Sequence, residues 1–138
     1  MNPRRILLVD DIPRDTELAL DALQQYHLAN EVVTLRDGAE ALDNLNRRGA
    51  FAHRTDAEPA VILLDLKMPR VDGLEVLRQL KSDPKLKVIP IVAMTSSREE
   101  QDLVNSHQLG VNAYVVKPFE FHGFIEAIKL GSVNERTK

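Results

Sequence analysis

Three carboxylates stand where hydrophobic runs end. Asp10 and Asp11 follow Ile6-Leu7-Leu8-Val9, and Asp65 follows Ala60-Val61-Ile62-Leu63-Leu64. Two other polar residues hold the same kind of place: Thr95 after Ile89 to Met94, and Lys117 after Ala113 to Val116. Carboxylates brought within a few ångströms of one another repel, so at neutral pH they need a cation or must take up protons. The chain has no Cys, so the expected cation is a hard one. Mg²⁺, with Mn²⁺ as a substitute, suits one or two carboxylates together with waters and a phosphate. Lys117 would add a fixed positive charge and Thr95 a hydroxyl donor. Such a set can neutralise a phosphoryl group carried on a carboxylate, and Asp is among the side chains that form covalent intermediates with phosphate. Transfer of that group depends on positioning and charge stabilisation more than on proton transfer.

These residues meet only if the runs before them are neighbouring strands. The chain alternates strand and helix. Short continuous apolar runs suit strands buried on both faces. Pro13 opens a helical stretch with Thr16, Ala19, Leu20, Leu23 and Tyr26 on one face, and Pro is at home in a first helical turn. Glu31 to Arg36 holds the β-branched run Val32-Val33-Thr34, and Asp37-Gly38 turns into a helix marked by Ala41, Leu42 and Leu45. From Arg47 to Pro59 the pattern lapses into a connection of about a dozen polar residues, expected to be a mobile loop. Leu74, Leu77 and Leu80 make the next helical face, broken at Asp83-Pro84. Ser96 and Ser97 each precede a Glu by three, so either could open a capping box for a helix that stops near Gly110. Phe121, Phe124, Ile125 and Ile128 suit a last helix. Five strands alternating with five helices imply a doubly wound parallel sheet covered on both faces. Its ligand crevice is expected beyond the carboxyl ends of the strands.

Composition agrees with such a domain and excludes several others. The 138 residues are 43% hydrophobic, enough for a single core. With 18 Lys+Arg against 21 Asp+Glu the net charge is −3, against the basic excess expected of a nucleic-acid binder. The apolar runs are too short to span a bilayer, and the N-terminus lacks a signal-peptide pattern. A cytoplasmic protein with no membrane attachment is therefore expected.

Val9-Asp10-Asp11, Leu64-Asp65-Leu66-Lys67-Met68-Pro69, Asp72-Gly73, Met94-Thr95-Ser96 and Tyr114-Val115-Val116-Lys117-Pro118-Phe119, in this order and spacing, resemble the receiver domain of two-component response regulators. The likeness covers about residues 4–130, which leaves the 1–138 chain as one domain with no output domain. The resemblance implies the flavodoxin-like (CheY-like) α/β fold: a five-stranded parallel sheet in the order 2-1-3-4-5 flanked by five helices. It implies that Asp65 is the phosphoacceptor, served by a histidine kinase or a His-containing phosphotransfer protein. Asp11, Asp65 and the backbone carbonyl of Lys67 would bind Mg²⁺, with Asp10 acting through a metal-bound water. Thr95 and Lys117 would hold the phosphoryl oxygens, Lys117-Pro118 would be a cis peptide, and Tyr114 would turn inward as Thr95 moves. The protein would be no enzyme beyond catalysing its own phosphorylation and slow dephosphorylation. The Arg47–Pro59 connection, Lys81-Ser82-Asp83-Pro84 and Gly110-Val111-Asn112-Ala113-Tyr114 further resemble single-domain regulators paired with bacterial and cyanobacterial phytochromes.

Plainer readings attach to each residue. An Asp after a strand is often a solvated turn, and the case rests on all four strand ends together. Lys67 is either a surface lysine or a side chain that overhangs the phosphoryl group and slows water. Ser97 reads as a helix cap. His27, His53, His107 and His122 share no ligand spacing, which makes this chain the acceptor and not the kinase. Phe119 has few inward positions beside Phe121 and Phe124, which points to a homodimer through the fourth helix, fifth strand and fifth helix; a downstream protein would use the same face. The competing functions are an interaction module that works without phosphorylation, and a relay intermediate that passes the phosphoryl group on. A flavin carrier is a weaker alternative, since Asp10-Asp11-Ile12-Pro13 would repel the flavin's phosphate.

Overall fold

The computed structural model describes residues 5–26, 31–53, 58–68, 72–106, 108–117 and 123–129. Strands β1 (Arg5–Val9), β2 (Glu31–Leu35), β3 (Val61–Asp65), β4 (Ile91–Thr95) and β5 (Ala113–Val116) alternate with helices α1 (Pro13–Gln25), α2 (Gly38–Leu45), α3 (Gly73–Lys81) and α4 (Arg98–Ser106). Residues 123–129 are helical and form α5. All strand pairs are parallel, in the order β2-β1-β3-β4-β5. This is the doubly wound architecture expected from the alternation. No described helix is long and apolar enough to cross a membrane.

The sheet divides the core in two, because successive strand residues point to opposite faces. Leu7, Val9, Ile62, Leu64, Ile91 and Ala93 join α2, α3 and Val104 of α4 on one face. Ile6, Leu8, Val61, Leu63, Val92, Met94 and Val115 join α1 and α5 on the other. Strands β3 and β4 are buried along their whole length, as their continuous apolar runs require. At the edge, β2 is buried only at Leu35.

Boundaries differ from expectation in four places. Ile89 belongs to a turn, its amide bonded to the Leu86 carbonyl at 3.1 Å, so β4 starts at Ile91. The Arg47–Pro59 connection contains a 3₁₀ turn, Gly49–Phe51, and Phe51 packs on the core. Helix α4 spans Arg98–Ser106, and Gln108, with φ 56°, is in the left-handed region two residues before Gly110, near which the helix was expected to stop. Tyr26 sits past the end of α1 and is exposed, with Ala19, Ala22 and Leu23 forming the buried stripe.

Local chemistry fixes the helix starts. Asp37 and Asp72 cap α2 and α3 through bonds from the Glu40 and Glu75 amides. At α4 the two serines divide the work. The Ser97 hydroxyl accepts from the Glu100 amide at 3.3 Å, while the Glu100 carboxylate accepts from the Ser96 amide at 3.2 Å.

Candidate functional site

The carboxyl ends of β1, β3, β4 and β5 carry the residues singled out above. Strand parity decides which of them meet. Continuing the alternation past Leu8, Leu63 and Val115 puts Asp10, Asp65 and Lys117 on the α1/α5 side. The Lys117 ammonium lies 2.8 Å from Asp10 Oδ2 and 3.2 Å from Asp65 Oδ2. It also lies 2.8 Å from Asp15 Oδ2, in the first turn of α1. The sequence pattern missed Asp15 because an acid there reads as an ordinary helix-start residue. Strand parity is the signal that would have found it, since it turns Lys117 toward α1.

Each carboxylate is held by backbone as well. Asp10 Oδ1 accepts from the Ile12 amide at 2.9 Å, and Asp65 Oδ1 from the Lys67 amide at 3.1 Å. Asp10 and Asp65 are buried, at 3% and 4% exposure. Burial pushes the Asp65 carboxyl up to about 7; the Lys67 amide and Lys117 ammonium pull it down, and the Asp10 charge adds to the rise. Burial works against the charge on Lys117, but Asp10, Asp15 and Asp65 outweigh it and raise its pKa.

One carboxylate oxygen each from Asp10, Asp11 and Asp65 lies within 4.8 Å of the others. Asp11 Oδ1 is buried and has no hydrogen-bond partner among the described residues. A buried anionic oxygen in that condition is costly, and an all-oxygen, three-carboxylate group suits a hard divalent cation. The donor set therefore fits a metal. A cavity of ≈ 320 Å³ opens beside it, lined by Asp10, Asp11, Pro13, Thr16, Thr34 and Arg36 among others. A larger one, ≈ 380 Å³, lies between the C-terminal ends of α2 and α3 and touches none of these residues.

Thr95 and Tyr114 fall on the opposite side of the sheet. Thr95 is fully buried, and its hydroxyl donates to the Ser97 carbonyl at 2.7 Å while accepting from the Ser97 amide at 3.1 Å. Tyr114 packs on the α3/α4 core and donates to Asn105 Oδ1 at 3.3 Å, an anchor on α4 that the sequence did not reveal. Desolvation and the Asp102 charge raise the phenol's pKa. Lys67 is exposed apart from its backbone bond, and Ser97 is the helix cap expected. His53 is exposed. His27, His107, His122, Phe119, Phe121 and the proline of Lys117-Pro118 lie outside the described residues.

Comparison with known proteins follows the same lines. The sequence pattern of the response regulator receiver domain matches residues 6–129. Response regulator Rcp1 of Synechocystis sp. is 40% identical over 115 residues, 83% of this chain and 77% of that protein. The solved bacteriophytochrome response regulator AtBRR is 59% identical with a TM-score of 0.87, covering 96% of this chain and 95% of that one. The phosphorylated cyanobacterial phytochrome response regulator RcpA is 38% identical with a TM-score of 0.76, covering 98% and 93%. The Mn²⁺-bound form of Rcp1 superposes with a TM-score of 0.74 at 35% identity, covering 96% and 92%.

Proposed function

Because the chain belongs to the response regulator receiver domain family, we propose that it is a signalling switch that accepts a phosphoryl group on Asp65. Receiver domains act in two-component systems, interact with histidine kinases or phosphotransfer proteins, and bind a divalent metal. The observation that carries the reading is Asp65 itself, buried between two further carboxylates with the Lys117 ammonium 3.2 Å from its Oδ2.

In the proposed step an Asp65 oxygen forms a bond to phosphorus as the donor's P–N bond to histidine breaks. The electron pair leaves with the imidazole. Asp11, Asp65 and the Lys67 carbonyl would hold Mg²⁺, with Asp10 acting through a water; Mn²⁺ would substitute. When bound, the ion supplies positive charge against the phosphoryl oxygens. Lys117 supplies the fixed cation that meets the same charge from the β5 side. Thr95 gives up the Ser97 carbonyl for a phosphoryl oxygen, and Tyr114 leaves Asn105 to turn inward. Phosphorylation adds close to two negative charges, and partners that bind the second state better read the change. The reading includes a cytoplasmic location, the compartment in which ATP-dependent kinases would supply the phosphoryl group.

The narrower reading is a phytochrome-type kinase as donor, supported by the likeness to the bacteriophytochrome response regulator AtBRR and the cyanobacterial phytochrome response regulator RcpA. A homodimer through α4, β5 and α5 is supported by Leu103 and Val116, apolar side chains 49% and 56% exposed on that face. Sedimentation should show a dimer that Leu103→Glu with Val116→Glu abolishes; a monomeric wild type refutes it.

The test of the acceptor is direct. Acetyl phosphate with Mg²⁺ should add one phosphoryl group to the intact protein, detected as a single mass increment. Asp65→Asn and chelation of the metal should each abolish it. Labelling that persists in the Asn variant would refute the assignment.

A further inference from the structure

We propose that Asp15 is the positioning residue for Lys117, anchoring the ammonium over Asp65 while the phosphoryl group and metal occupy the other carboxylates. The inference rests on the phosphoacceptor reading and assigns a role to a residue outside the five strand-end positions.

The Lys117 ammonium has three N–H donors and three carboxylate neighbours, at 2.8, 2.8 and 3.2 Å. Two of those neighbours have other duties. Asp10 and Asp65 belong to the group of oxygens that fits a cation, and Asp65 is also the residue to be esterified. Asp15 is outside that group. Its carboxylate is the one partner of Lys117 that neither a metal nor a phosphoryl group would claim.

Asp15 is also mounted on a firm base. It lies in the first turn of α1, which Pro13 opens and the Thr16 amide closes on the Ile12 carbonyl at 3.1 Å. Ala19, Ala22 and Leu23 then seat the helix against the sheet at 0–1% exposure. Lys117 sits at the end of a flexible four-carbon stem, where an unanchored ammonium samples many rotamers. The side chains of Lys117 and Asp15 are 10% and 19% exposed, so water screens the pair only partly. An acid serving only the helix dipole could have faced solvent from any first-turn position. This one instead points across to β5.

The experiment compares charge with anchorage. Asp15→Ala and Asp15→Ser remove both the charge and an acceptor of the right reach. Asp15→Asn removes the charge but keeps an oxygen that can accept from Nζ. Phosphorylation by acetyl phosphate forms an Asp65 O–P bond, breaks the donor's acyl O–P bond and releases acetate. Its rate is measured at saturating Mg²⁺ over a range of donor concentrations.

Anchorage predicts that Ala and Ser lower the maximal rate about tenfold at unchanged half-saturation, while Asn stays within about threefold of wild type. Circular dichroism checks the fold, and Ser carries the comparison if the Ala variant melts. Ala and Ser at the wild-type rate would overturn the proposal. So would all three variants slowing alike, or all three speeding up, because charge and not anchorage would then be the cause. An unlabelled wild type would overturn the phosphoacceptor reading and this inference with it. A labelled wild type with insensitive variants overturns this inference alone.

Discussion

Asp65 is a carboxyl whose burial raises it from 3.8 to about 7 before any metal arrives. Between those values the folded chain holds a proton that the unfolded chain has released, so stability falls as pH rises through that window. Metal-free Asp65→Asn should lose this dependence. At about pH 8 it should be more stable than wild type by about 4 kcal/mol, and at about pH 4 the two should converge; urea titrations check both. Mg²⁺ should close the gap at the higher pH by stabilising the wild type alone. The candidate site residues were legible in the sequence because carboxylates, a hydroxyl and an ammonium each end an apolar run. Asp15 and Asn105 were not. Each is an ordinary polar residue on a helix, and only the distance to Lys117 or Tyr114 gives it a role.

At the level of elements, two backbone positions set how the site is mounted. A Cβ on Gly73 would lie 2.3 Å from the Asp65 carbonyl oxygen and 2.5 Å from Leu66 Cα. Both are backbone atoms, at the last residue of β3 and the one after it, so α3 could make room only by moving away. Gly73→Ala should cost about 3 kcal/mol in urea unfolding and slow labelling of Asp65. Gln108 poses the opposite case. Its φ of 56° is a conformation that glycine adopts without strain, so Gln108→Gly should raise stability by about 0.5–1 kcal/mol in thermal melts. The sequence located all five strands through their apolar runs, but it carried no sign of where a turn bond would displace the start of β4. A positive φ at a glutamine is equally invisible, because glycine is the residue that advertises one. The 3₁₀ turn hid in the Arg47–Pro59 stretch for lack of any periodicity.

Over the whole molecule, two apolar clusters lie on either side of one sheet. Side chains in different clusters share few neighbours, so their substitutions should add. Val76→Ala in one should destabilise by about 1–3 kcal/mol and Ile128→Val in the other by about 0.5–1.5 kcal/mol, and the double variant should show their sum within about 0.5 kcal/mol. A large coupling in that cycle would mean that the sheet bends as the cores repack. The strand order was legible through resemblance and not through periodicity, since alternation alone leaves several doubly wound orders open. The same division has a consequence for signalling across the sheet. The ammonium and its anchor face α1, whereas Thr95 and Tyr114 face α4. The ion-paired lysine and the residues proposed to switch thus occupy opposite walls of a partition one sheet thick. On the proposed reading, a charge added at Asp65 on the α1 wall must be felt through the sheet before Tyr114 on the α4 wall can move.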